Sequence, residues 1–399
     1  MLTRLLCLAA TLSLCLAAPQ RSLPTGNYIV RLSPAVSATH VQSFMQDYNH
    51  QKTIMGDQDG AANTIKHSYA NVFHGVAGFF TADFLDNLAK QYKNKLVYIA
   101  PDHQVHALGT QSNADWGLTR ISERQLDLSQ DYAYPDAAGQ GVDVWVVDTG
   151  IQANHTDFEG RAKMVKSFVT GEEATDMNGH GTHCAGTVGS KTWGVAKKVS
   201  LFGVKVLNGQ GSGQESDVIA GIDLVAQHVR PGKTVLSMSL GGPQTQSLDD
   251  AVNAAVAAGV FVASAAGNDG ADACQTSPAG AASSFTVGAT DNDDTLAYYS
   301  NTGKCVKILA PGTDITSLWI GDDGATNTIS GTSMATPHVA GAAALLMSQK
   351  QYSSPADVGT DLTNMATQSV IQNVQADGTP NLLLYNGGIQ GLGNAAPSA

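Results

Sequence analysis

Charge is scarce in this sequence. Asp, Glu, Lys and Arg make up 14 % of the 399 residues and aromatic residues 6 %, against 43 % hydrophobic residues. So apolar a chain has material for a core and too few charges for disorder, and its length suits two or three globular domains. Positive charge is the scarcer sign, with 22 Lys+Arg against 34 Asp+Glu and a formal charge of -12. Phosphate backbones need a basic surface, which excludes a nucleic-acid partner. The shortage is uneven: residues 1–108 carry 8 basic and 6 acidic side chains, the remainder 14 and 28. The chain reads as two electrostatic pieces.

Long apolar runs are also missing. The first 18 residues, with Arg4 as positive flank, an apolar run from Leu5 to Leu16 and small Ala17 and Ala18, read as a secretory signal peptide. No later run reaches ~18 uninterrupted apolar residues, so the expected product is secreted, extracellular and free of the membrane. Of five cysteines, Cys7 and Cys15 would leave with the signal, and three remain. At most one internal disulfide can then form; Cys274–Cys305 is expected, because Cys184 lies inside a histidine-containing motif and would stay a buried thiol. Asn154-His155-Thr156 is the one glycosylation sequon.

Residues 19–108 read as a small α+β unit, with strands at Tyr28–Leu32, Gly75–Phe80 and Leu96–Ala100 and helices at His40–Met55 and Ala82–Gln91. The stretch from His106 to Asn113 lacks periodicity, as a linker or processing site would. Downstream, apolar strands are expected at Val142–Val147, Leu201–Leu207, Thr234–Leu240, Val260–Ala265, Phe285–Ala289 and Val306–Ala310, and helices at Gln214–Val229, Leu248–Ala258 and Ser333–Gln349. This alternation predicts an α/β fold over 109–386, a mostly parallel central sheet with helices on both faces. Residues 387–399, rich in Gly, Ala and Asn, read as a flexible tail.

Three short motifs carry the chemistry. Asp148 ends the apolar run Val144-Trp145-Val146-Val147, at the strand edge where α/β sheets bind ligands, although an Asp before Thr-Gly is often only a turn former. His180 stands in Asn178-Gly179-His180-Gly181-Thr182-His183-Cys184, where glycines permit close approach to the ring. A metal set of His180, His183 and Cys184 is the alternative, but no acidic residue separates the histidines and the Cys pairs of structural zinc are absent. Ser333, in Gly331-Thr332-Ser333-Met334-Ala335-Thr336-Pro337, opens a buried helix with Pro337 placed in its first turn, and its alternative role is a plain N-cap. The chain order Asp, His, Ser is one of the orders known for a nucleophilic triad.

On these motifs the sequence resembles the subtilisin-like serine peptidases, most closely their proteinase K branch, from Trp116-Gly117-Leu118 through Asn381-Leu382-Leu383. The resemblance implies a secreted serine endopeptidase with Asp148, His180 and Ser333 as catalytic triad, and with Asn268 and the Ser333 backbone N–H as oxyanion hole. It implies that a peptide substrate is held by Gly211-Ser212-Gly213 and Ser239-Leu240-Gly241, with Ala265, Ala266 and Gly267 along the primary pocket. No acidic residue stands in these segments, so broad apolar or aromatic specificity is expected.

Residues 28 to about 103 resemble the family's inhibitory propeptide, an intramolecular folding aid, with processing expected after Leu108 or a near neighbour. The Cys274–Cys305 pairing also resembles secreted bacterial relatives, and a thiol beneath the catalytic histidine implies inhibition by mercurials. No cofactor is implied for catalysis and structural calcium is, yet Lys307 stands where the branch places a carboxylate, ahead of Pro311-Gly312. Glu123, Asp127 and Asp131 are a second calcium candidate or simply an exposed acidic face. The expected partners are protein or peptide substrates and the chain's own propeptide, the enzyme acting as a monomer. A catalytically inactive binding module on the same fold and a metallohydrolase using His180, His183 and Cys184 are the alternatives.

Overall fold

The computed structural model describes residues 23–54, 63–71, 73–102 and 108–387, and the chain divides into two compact units, Met1–Val105 and His106–Ala399. The expected signal peptide, residues 106–107 of the expected linker or processing site and the tail from 388 onward lie outside the described residues.

In the first unit, β1 (Gly26–Leu32) is followed by α1 (Ala38–Ile54), β2 (Thr64–Tyr69), β3 (His74–Phe80), α2 (Ala82–Gln91) and β4 (Leu96–Pro101). The strands form an antiparallel sheet in the order β2-β3-β1-β4. Alternate residues of β1, Tyr28, Val30 and Leu32, are buried in one cluster with Phe84, Leu85 and Leu88 of α2, the strand's period of two meeting the helix's apolar stripe. The sequence reading omits β2, whose residues Thr-Ile-Lys-His-Ser-Tyr are mostly exposed and lack apolar alternation.

The second unit opens with β5 (Leu108–Gln111), α3 (Trp116–Ser122) and β6 (Tyr132–Pro135), β5 pairing antiparallel with β6. There follow β7 (Asp143–Asp148), β8 (Ala162–Ser167), α4 (His180–Gly189), β9 (Ser200–Lys205), α5 (Glu215–Gln227), β10 (Thr234–Met238), the short β11 (Gly242–Pro243), α6 (Gln246–Ala257) and β12 (Phe261–Ala265). The chain continues through β13 (Thr276–Ser277), β14 (Phe285–Thr290), β15 (Val306–Pro311), β16 (Ile315–Leu318), β17 (Thr326–Ile329), α7 (Thr332–Gln349), α8 (Pro355–Met365), β18 (Thr367–Gln368) and β19 (Leu382–Leu383).

Nine strands form the central sheet in the order β18-β19-β15-β14-β12-β10-β7-β9-β8, parallel throughout except at the β18–β19 edge. Strand β7 shows why it is covered on both faces. Val144 and Val146 belong to a core shared with Cys184 and Val188 of α4 and Val339 and Ala343 of α7, whereas Trp145 and Val147 belong to one shared with Val218 and Ile222 of α5 and Val252 of α6. A strand buried on both faces has no polar alternation, and that makes it a continuous apolar run in the sequence.

Candidate active site

Because β7, β9, β10 and β12 are parallel, their carboxyl ends share one edge of the sheet, where Asp148 ends β7 and Asn268 follows β12. Asp148 is the last residue of β7 and fully buried; His180 is the first residue of α4; Ser333 is the second of α7; Asn268 lies just beyond β12.

Asp148 Oδ1 is 2.7 Å from His180 Nδ1 and accepts the Thr149 N–H at 2.7 Å. A carboxylate oxygen at that distance requires the proton on Nδ1, which leaves Nε2 as the acceptor. Burial opposes the imidazolium, but the charge of Asp148 outweighs it and holds His180 well above the ordinary histidine value. Burial pushes the Cys184 thiol up, so it stays neutral at neutral pH beside the ring, with Sγ 3.9 Å from Nδ1.

The Ser333 hydroxyl donates to the Ser239 carbonyl at 3.1 Å, and the Ser239 hydroxyl donates back to the Ser333 carbonyl at 2.8 Å. Helix α7 starts at Thr332, so Pro337 is its sixth residue rather than part of the first turn expected from the sequence. The displacement has a chemical consequence. A helical residue 337 would donate its N–H to the carbonyl of 333, and proline has no N–H. The Ser333 carbonyl is thereby left to accept from Ser239 and from the Cys184 thiol at 3.5 Å.

Asn268 is oriented by α7. Its Oδ1 accepts from both the backbone N–H and the hydroxyl of Thr332, each at 2.9 Å, which assigns the opposite end of the amide to Nδ2. Nδ2 and the Ser333 backbone N flank one point: a Cβ added at Gly331 would lie 3.6 Å from each. The loop behind Asn268 is shaped by Asn301, fully buried, whose Nδ2 donates to the Ala266 carbonyl at 2.9 Å while Oδ1 accepts from Asp269 N at 3.0 Å and Ala271 N at 2.9 Å. Backbone bonds from Asn301 N to Gly267 O, Gly270 N to Tyr299 O and Ala273 N to Thr302 O lace this loop to residues 299–302. The Cys274–Cys305 disulfide closes the end of that lacing, and Cys184 is the buried free thiol.

His180, Ser333 and Asn268 line one open cleft of about 1080 Å³, with Gly211, Ser212 and Gly213 on one segment and Ser239, Leu240 and Gly241 on another. Ala265 and Gly267 line it as well. Ala266 does not: its side chain is fully buried in a separate core cluster, because consecutive residues leaving a strand point to opposite sides.

Three supporting residues were not singled out from the sequence. Asp176, buried, accepts five hydrogen bonds, from Thr149 Oγ1, Asn178 N, Gly179 N, Thr182 N and Thr182 Oγ1, at 2.7–2.9 Å. It sits at the amino end of α4, and an acid four residues ahead of a glycine-flanked histidine was the signal available. Lys205, with no exposed side-chain surface, donates to the Thr149 carbonyl at 3.0 Å and the Leu207 carbonyl at 2.9 Å and pairs with Glu172 at 3.0 Å. It ties the strand bearing Asp148 to the segment leading to Gly211. Asn301 is the third, and nothing in its sequence neighbourhood announced it.

His183 turns away from the site, with Nε2 3.0 Å from the Ile315 carbonyl and its ring edge-on to Trp319, so the set His180, His183 and Cys184 does not converge. Among the described residues, the one convergent set of metal-ligating groups is Asp148, His180 and Cys184, and its first two members are spent on each other. The calcium candidates Glu123, Asp127 and Asp131 do not gather either, and Asp127 spends both oxygens on Ser129 and Gln130.

The Subtilase family profile matches residues 139–384, and that of Peptidase inhibitor I9 matches residues 27–108. The "Alkaline serine protease ver112" of Corniculantispora psalliotae is 44 % identical over 393 residues, spanning 96 % of this chain and 99 % of that protein. The "Cuticle-degrading protease" of Metarhizium anisopliae is 44 % identical over 382 residues, 93 % and 96 % of the two chains. The crystal structure of a cold adapted subtilisin-like serine proteinase superposes with a TM-score of 0.65 at 46 % identity, covering 69 % of this chain and 99 % of that one. Fold and cleft are those of a serine endopeptidase preceded by an inhibitor-type propeptide, and the binding-module reading has no support. The chain belongs to the subtilase family.

Proposed function

We propose that the protein is a secreted endopeptidase, made as a self-processing zymogen, that cleaves proteins through Asp148, His180 and Ser333. The observation that carries this reading is the 2.7 Å bond from His180 to Asp148 on the wall of a cleft shared with Ser333 and Asn268.

The Ser333 hydroxyl first leaves the Ser239 carbonyl and turns toward His180 Nε2, a rotamer change within the cleft. His180 takes its proton as the oxygen attacks a peptide carbonyl, then returns it to the departing amine. Asp148 fixes the ring's tautomer and stabilises the imidazolium. Asn268 Nδ2 and the Ser333 N–H donate to the oxyanion, and losing one such donor raises the barrier by ~3–4 kcal/mol. Water then hydrolyses the acyl-enzyme by the same route in reverse.

The substrate adds as a strand between Gly211–Gly213 and Ser239–Gly241, where glycines let its backbone come close. Ala265 and Gly267 favour an apolar or aromatic side chain beside the scissile bond. Export is supported by the apolar N-terminal segment and by the Cys274–Cys305 disulfide, since such bridges persist in oxidising compartments. Among the described residues no helix is long and apolar enough to cross a membrane.

Ser333→Ala tests the reading. It should accumulate as an unprocessed chain and hydrolyse no casein; normal maturation and activity in that variant would overturn it.

A further inference from the structure

Two carboxylates line the cleft that holding a peptide backbone does not require, Glu215 and Asp269. Asp269 is exposed beside Asn268, where water screens its charge. Glu215 is only partly exposed, and it stands where Val218 of α5, Leu248 of α6 and Leu240 also line the cleft. Its Oε1 accepts a hydrogen bond from the Ser247 hydroxyl, which fixes the carboxylate across the gap between α5 and α6. No other hydrogen bond and no ion pair engages this carboxylate among the described residues, leaving Oε2 open to a ligand.

Helix geometry alone does not account for Glu215. An acid in a first turn complements the helix dipole, but Asp217 already supplies one in the first turn of α5. Glu215 differs in opening onto the cleft. An apolar wall ending in an anion suits a side chain with an aliphatic stem and a cationic tip, because lysine and arginine bury their methylenes while keeping the charge at a polar edge.

We infer that Glu215 is a specificity-determining residue that selects a lysine or arginine of the substrate, its stem lying on Val218, Leu240 and Leu248. The inference rests on the peptidase reading above and adds a basic preference away from the scissile bond to the apolar preference beside it. An acidic substrate side chain at that place would meet repulsion, so the site discriminates by exclusion as well as by attraction.

The test is a positional-scanning peptide library cleaved by the mature enzyme, by Glu215→Gln, by Glu215→Lys and by Asp269→Asn. A partly exposed ion pair is worth up to ~1 kcal/mol, about fivefold in kcat/KM. At one position other than the residue giving the scissile carbonyl, the wild type should favour Arg or Lys over Leu by about that factor, and less in high salt. Glu215→Gln should bring the ratio to about one, Glu215→Lys should turn it toward Glu, and Asp269→Asn should keep it. A wild type with no basic preference at any such position overturns the inference, as does a preference that survives Glu215→Gln or vanishes in Asp269→Asn. Equal cleavage by wild type and Ser333→Ala would instead sink the peptidase reading beneath it.

Discussion

Asn301 lines no part of the cleft, yet the loop that aims Asn268 is built on its side chain. Replacing it with alanine removes three hydrogen bonds and leaves the Ala266 carbonyl and the Asp269 and Ala271 amides without their partner. Asn301→Ala should lower kcat by about tenfold to a hundredfold with KM little changed, since only the proposed oxyanion donor Asn268 is displaced. Steady-state kinetics on one peptide substrate check this, and a rise in KM at constant kcat would contradict it. Such a residue is hidden from the sequence because its partners are backbone groups 30 to 35 positions away, where no local spacing rule reaches. Asp148, His180 and Ser333, the residues proposed for the chemistry, stand out in the sequence for the opposite reason: each carries its own glycine-rich or small-residue signature. Ala266 was misplaced because a motif gives the chain's path and not which side each Cβ takes.

Among the elements, the apolar parallel strands stand within a few residues of where the sequence places them, while α4 leaves no helical signal in it. Its sequence His-Gly-Thr-His-Cys-Ala-Gly-Thr-Val-Gly has low helix propensity and no polar face, and burial rather than propensity makes it helical. Helix α7 was found, with its proline one turn out of place. That proline gives an element-scale prediction. Pro337→Ala supplies an N–H that competes for the Ser333 carbonyl with Ser239 and Cys184. The helix gains a bond and Ser333, the proposed nucleophile, loses its setting, so kcat should fall about tenfold while the melting temperature holds or rises. An undiminished kcat would refute the role given to the missing N–H.

For the molecule as a whole, activity and stability should each follow pH. On the proposed mechanism activity needs neutral His180, whose pKa lies above the ordinary histidine value, so kcat/KM should climb with pH through that elevated value. His180 is also linked to stability, its contribution present below pH ~6.5 and lost as pH rises through the elevated value. At lower pH stability follows His183 and His338, both pushed down to about 4 by burial. The unfolded chain binds more protons there between pH ~6.5 and about 4, so their contribution is complete above that window and is lost as pH falls through it. Asp115 works the other way: burial raises it to about 6, and its contribution is lost as pH rises. Below pH ~6, where His180 is mostly protonated folded and unfolded alike, two histidines against one carboxylate predict a net fall in the melting temperature of Ser333→Ala from pH ~6 to pH ~4. A flat profile would contradict that assignment. The disulfide extends this environmental dependence beyond acid. The cysteines it joins are 31 positions apart, and Asn301 lies within the loop they close. A chain reduced at this clasp keeps every reactive side chain but gives up the covalent restraint on the scaffold that points them, so its working competence is tied to surroundings where oxidants prevail over thiols.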